Sequence, residues 1–177
     1  MAPRPGQLKR FFSGLAQHTF FTELGMADPP LVDYLSEMLV RFVHLDAVYR
    51  IRDLAGRRLE QVGQMLLEAQ QRVGDARREI YRHIGDFTLF WTGVYPEGLK
   101  RLQAAGRLDY FVDYCTQGKR SYWIASTYDD PQYGEQNRVL ERLSQHFELC
   151  AYGLRQMRRE WETAPQEDQP FRGLLLD

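Results

Sequence analysis

The stretch PQYGEQNRVLERLSQHFELCAYGLRQMRREWET, residues 131–163, decides how the rest of the chain is read. Gln136, Leu140, Leu143, Phe147, Cys150, Leu154, Met157 and Trp161 follow one another in alternating steps of four and three. That spacing keeps one stripe of a helix facing one way, and no convincing run of period two competes with it anywhere in the chain. Asp129-Asp130-Pro131 in front of it reads as a helix start: a carboxylate can accept from first-turn amides, and proline has no amide to leave unpaired. The expectation is one helix over 131–163, about 50 Å long at 1.5 Å per residue.

Working outward, the same grammar recurs. A helix is expected over 108–128, with Leu108, Phe111, Cys115, Gly118, Tyr122 and Ala125 facing inward. A short one over 99–105 ends at Gly106, and one over 76–91 buries Ile80, Ile84, Phe87 and Trp91 after the stop at Gly74-Asp75. Asp28-Pro29-Pro30 starts the seam Leu31, Leu35, Met38, Phe42, Leu45, Tyr49, and a further seam runs Ala55, Leu59, Val62, Leu66, Ala69, Val73. Spacing leaves open whether residues 31–73 are one helix or two. Residues 7–24 form a first helix ended by Gly25. Together the seams predict an all-α fold, a single antiparallel helical bundle of five to seven helices with a long C-terminal helix. Residues 1–6 are then a flexible N-terminus, 7–163 the helical domain, and 164–177 a polar linker and apolar C-terminal peptide.

Composition bounds the partners. The chain has 177 residues, enough to bury one core without disulfides or metals. Apolar residues make up 44% and charged ones 27%, values that exclude a disordered chain. A net charge of −1 gives no global basic field, so neither nucleic acid nor an acidic membrane is expected as partner. No apolar stretch is long enough to span a bilayer, and the start MAPRPGQLKRFF lacks the apolar run of a signal peptide, so a cytoplasmic location is expected. Cys115 and Cys150 form no CxxC pair and read as packed thiols.

Catalytic signatures are absent: no GxGxxG, GxxxxGK[ST], GxSxG, HExxH or Glu-x-x-His occurs. The pattern therefore names no cofactor. A looser metal-ligand set remains, because Glu79, His83 and Asp86 share one helix face while His146 and Cys150 lie one turn apart on another helix. If those helices face each other, the five could hold zinc or iron. An aromatic group, Phe87, Phe90, Trp91, Tyr122 and Trp123, is the candidate apolar ligand pocket. Gly63, Gly85, Gly118, Gly134 and Gly153 interrupt helical patterns and call for a reason: close approach of two helix backbones or a large aromatic lying across the glycine, in preference to room left for a ligand or a local bend. Lys119 and Arg120, beside Tyr122 and Trp123, could meet a phosphate, and the basic group Arg77, Arg78 and Arg82 is largely neutralised by Asp75 and Glu79.

The leading expectation for function is an interaction or adaptor protein that associates with itself as a dimer. Its motive is the overlong last helix, whose Met157 and Trp161 would be left in water on a monomer. Phe171, Leu174, Leu175 and Leu176 form a second contact element, a C-terminal peptide able to dock on this chain or on another protein. The alternative is a helical-bundle enzyme or sensor that binds a metal or small ligand at the Glu/His/Asp plus His/Cys set.

Overall fold

In the computed structural model, residues 5–163 are described, and helices joined by turns and loops make up their regular structure. The all-α expectation is met. Among the described residues the only extended pairing is an isolated antiparallel bridge between Arg52 and Arg58. Among the described residues nine α-helices, not five to seven, follow one another. No helix among the described residues is long and apolar enough to cross a membrane.

The chain divides into two compact units. The first comprises residues up to Val48 together with those from Tyr152 onward. Here α1 (Pro5–Gln17) runs into a wider π-helical stretch (His18–Glu23), and Gly25, at φ 65°, turns the chain. Asp28 then caps α2 (Pro29–Phe42), accepting from the Leu31 amide at 3.3 Å, and α3 (Leu45–Val48) follows. The seam Leu31, Leu35, Met38 and Phe42 is fully buried. Phe12 packs edge-on against Trp161, ring centroids 5.7 Å apart, and Phe20 lies across Gly153.

The second unit, Tyr49–Ala151, holds α4 (Val62–Gln71), α5 (Gly74–Gly93), α6 (Leu99–Leu102), α7 (Tyr114–Ser126), α8 (Gly134–Gln145) and the first turn of α9 (Phe147–Glu162). Helix α5 packs on α4 and α7, and α7 packs on α8. Residues 31–73 are thus not continuous. Between α3 and α4 the Asp53 carboxylate takes the amides of Ala55 and Arg57, both at 2.9 Å, and Gly56 turns at φ 80°. A side chain that captures the backbone in this way ends any helix through it, and the seam from Ala55 starts in earnest only at Val62.

The expected helix 108–128 breaks for a related reason. Leu108–Phe111 form a single 3-10 turn, and Asp113 caps a fresh helix by accepting from Thr116 N at 2.8 Å. The long C-terminal helix is corrected as well: Pro131–Tyr133 is a 3-10 turn, and His146, at φ −113° and ψ 27°, separates α8 from α9. Apolar periodicity survives that one-residue break because it reports burial, and Leu143, Phe147 and Cys150 are all buried.

Four of the five interrupting glycines are close-packing sites. A methyl on Gly85 would meet the Tyr122 ring at 2.5 Å, one on Gly63 would meet Leu108 at 2.6 Å, and one on Gly118 would meet Thr88 and the Phe147 ring. Gly134 alone of the five has nothing within 4 Å. We expect Gly118→Ala to lower unfolding free energy by about 2 kcal/mol in a urea titration, the usual scale of core overpacking. Gly134→Ala should be neutral or stabilising, since alanine is the better helix former. Equal effects at the two positions would show that ring contact is not what Gly118 serves.

Candidate functional site

Helix α5 carries six of the sequence-predicted site residues, Glu79, His83, Asp86, Phe87, Phe90 and Trp91, but their surroundings separate them. Glu79 is held in an arginine cluster: its carboxylate accepts from Arg50 at 3.0 Å, Arg78 at 3.2 Å and Arg82 at 2.8 Å. Burial pushes its pKa up, and the Arg82 and Arg50 guanidiniums more than offset that, leaving it below the ordinary carboxylate value. His83 and Asp86 are buried in the core, where Asp86 accepts a hydrogen bond from the Tyr122 hydroxyl at 2.8 Å. His146 is exposed at the break between α8 and α9, whereas Cys150 is buried. Among the described residues no group of three His, Cys, Asp or Glu side chains could hold a metal ion. The proposed gathering of Glu79, His83, Asp86, His146 and Cys150 therefore does not occur: sharing one helix face set the first three side by side, but Glu79 faces arginines and the others face core.

The aromatic set divides in the same way. Phe87, Phe90, Trp91 and Tyr122 are buried and fill the space with their own rings, Phe90 and Trp91 at 5.5 Å and Phe87 and Trp91 at 6.2 Å. Trp123 stands 57% exposed on α7, so the five do not line one pocket. Met157 and Trp161 are likewise corrected as contact residues, since both are buried and Trp161 is covered by Phe12. Phe171, Leu174, Leu175 and Leu176 lie outside the described residues.

The basic groups turn out to be structural ties. Arg78 is fully buried, its guanidinium 3.7 Å from the Tyr133 ring centroid and donating to Gln136 Oε1 at 3.0 Å and Asn137 Oδ1 at 2.8 Å. Lys119 pairs with Glu148 at 2.7 Å, and the Cys115 thiol donates to the same carboxylate oxygen at 3.5 Å. Partial burial and then the Glu148 carboxylate push the Cys115 thiol up to about 11, so it stays protonated and is a poor nucleophile at neutral pH.

Sequence reading missed the turn at 108–111. Apolar spacing places both Leu108 and Phe111 on an inward seam. Instead Leu108 is 49% exposed, Tyr110 50% and Phe111 91%, while the charged residue between them, Asp109, is fully buried. The Asp109 carboxylate accepts from the amides of Val62 and Gly63, each at 2.8 Å, and from the Tyr114 hydroxyl at 2.5 Å. Its own amide donates to Gln61 Oε1 at 3.3 Å. Burial and then that carboxylate raise the Tyr114 pKa, so the phenol remains a donor. The first two amides of α4, which a helix leaves without internal partners, are thus capped by a carboxylate from a distant turn. The inversion has a cost on its outer side, where Tyr110 and Phe111 pack edge-on at 4.6 Å in water.

No protein-family model, no curated protein and no solved structure matches this chain.

Proposed function

We propose that this chain is a helical interaction protein whose contact element is the turn Leu108–Phe111 rather than the last helix. The observation that carries the reading is the 91% exposure of Phe111 on a backbone that buried Asp109 clamps to α4. A large exposed ring is a liability unless something covers it, and a rigid backbone means little conformational entropy is lost when it is covered. Interface hot spots are of this kind, aromatic anchors held in one place. Self-association is one form the contact can take, with Phe111 now replacing Met157 and Trp161 as its motive.

The test is photo-crosslinking in cells with benzoylphenylalanine placed at Phe111, and at the exposed Arg120 of α7 as control. Adducts at position 111 well above those at 120 are expected, whether to a second copy, another protein or lipid. Equal yields at the two positions would sink the reading.

A further inference from the structure

The exposed ring of the turn has a counterpart elsewhere on α4. Between the loop 53–59 and α4 runs a groove of about 410 Å³, lined by Leu54 and Leu67, 72% and 56% exposed, and by the buried Leu59. Its charged side chains are paired, Asp53 with Arg57 at 2.8 Å and Glu68 with Arg72 at 2.7 Å, so its rim is close to neutral. Phe111 of the same chain does not fill it, because that ring is 91% exposed. The two nevertheless lie on one side of α4. Leu108 and Phe111, three apart in a 3-10 turn, eclipse one another, and a methyl on Gly63 would touch Leu108. Leu67 sits one turn further along α4 from Gly63, on the same face. Charge around the turn is mixed, with Glu97, Lys100 and Asp113 all exposed, and so selects no partner of a single sign.

We propose that a second copy of this chain covers the turn, in a two-fold dimer where Phe111 of each protomer enters the Leu54/Leu67 groove of the other. The inference rests on the reading of the turn as a contact element and names its partner. One chain carries both a ring without a hole and a hole without a ring, and a two-fold axis joins them twice. Area agrees with that pairing. Leu54, Leu67, Leu108, Tyr110 and Phe111 leave on the order of 700 Å² to water, close to the roughly 800 Å² each partner gives in a standard interface. The neutral rim lets an uncharged ring enter without stranding a charge. Mixed charge around the turn likewise spares two identical surfaces from like-charge repulsion. The Asp109 clamp keeps the ring presented before the partner arrives.

The experiment is sedimentation equilibrium of the full chain, with native mass spectrometry of mixtures. Wild type is expected at twice the chain mass of 20.8 kDa when held at about 50 μM. Phe111→Ser removes the ring and Leu67→Glu places a charge in the groove, so each variant loses both copies of the contact. Each should weaken dimerisation about a hundredfold, with an unchanged circular dichroism spectrum because both positions are exposed. An equimolar mixture keeps one contact intact, Phe111 of the Leu67→Glu chain in the unaltered groove of the Phe111→Ser chain. The mixed dimer should therefore be about tenfold tighter than either variant with itself. A monomeric wild type overturns the inference, as does a dimer that either variant leaves unchanged, or a mixture no tighter than its parts. A monomer that still forms adducts at position 111 with another protein removes the second copy as partner and leaves the contact reading standing. A monomer with equal crosslinking at 111 and 120 removes the two together.

Discussion

Asp109→Ala is expected to lower the free energy of unfolding by about 3–5 kcal/mol in a urea titration. The carboxylate accepts from Val62 N, Gly63 N and Tyr114 OH inside a buried site, and alanine leaves all three donors without it. Each buried group deprived of its partner costs about 1–3 kcal/mol, and two of these three begin a helix, where negative charge is additionally favourable. Asp109→Asn keeps an acceptor and loses the charge, so it should fall between alanine and the wild type. The loss should also reach the turn, because Asp109 is what holds Phe111 outward. A destabilisation below about 1 kcal/mol for the alanine variant would show that water replaces the carboxylate, and that the turn is not clamped as described.

Arg78→Leu is expected to cost about 3 kcal/mol, and Arg78→Lys more than half of that. The leucine fills much of the space but leaves the amide oxygens of Gln136 and Asn137 without their donor and Tyr133 without its cation. The lysine test is the sharper one. Guanidinium is planar, so it lies on the Tyr133 ring while forking to two amide oxygens, whereas an ammonium is a compact point charge that cannot do both. Full rescue by lysine would mean that charge alone matters at this position. Wild-type stability in the leucine variant would mean that the buried network contributes specificity without net stability, as buried polar groups sometimes do.

Helix class and several helix starts were readable from residue order, because each rests on neighbours in the chain. Asp28 ahead of Pro29 caps α2 as its chemistry demands, and the seam Leu31, Leu35, Met38, Phe42 is buried as its spacing requires. Gly85 and Gly118 are packing sites as their place inside a regular helical pattern implies, and of the two packing reasons open from the sequence the structure shows the ring. The ring across Gly85 is Tyr122, 37 residues away, and spacing carries no information about which ring it will be.

Site residues were less legible, for the same physical reason. A position on a helix face says which side chains are neighbours on that helix, and nothing about the element packed against it. Glu79, His83 and Asp86 share a face of α5, yet Glu79 is drawn to Arg50 and Asp86 to Tyr122. Continuity of helices was also overestimated. Asp113 and His146 each interrupt a stretch whose apolar spacing runs on unbroken, because spacing registers burial and a captured amide or a one-residue break does not disturb it.

What this chain's sequence determined by itself is the helical class, the seams and the caps that begin α2 and the 3-10 turn ahead of α8, all set by contacts within a turn or two. What only the tertiary structure decided is which way the 108–111 turn faces. By pattern Asp109 belongs outside, with Leu108 and Phe111 within. The two open amides at the start of α4, 47 and 46 residues away, reverse that order. A buried carboxylate with three donors is cheaper than a helix start left without partners, and the apolar side chains go to the water side in its place.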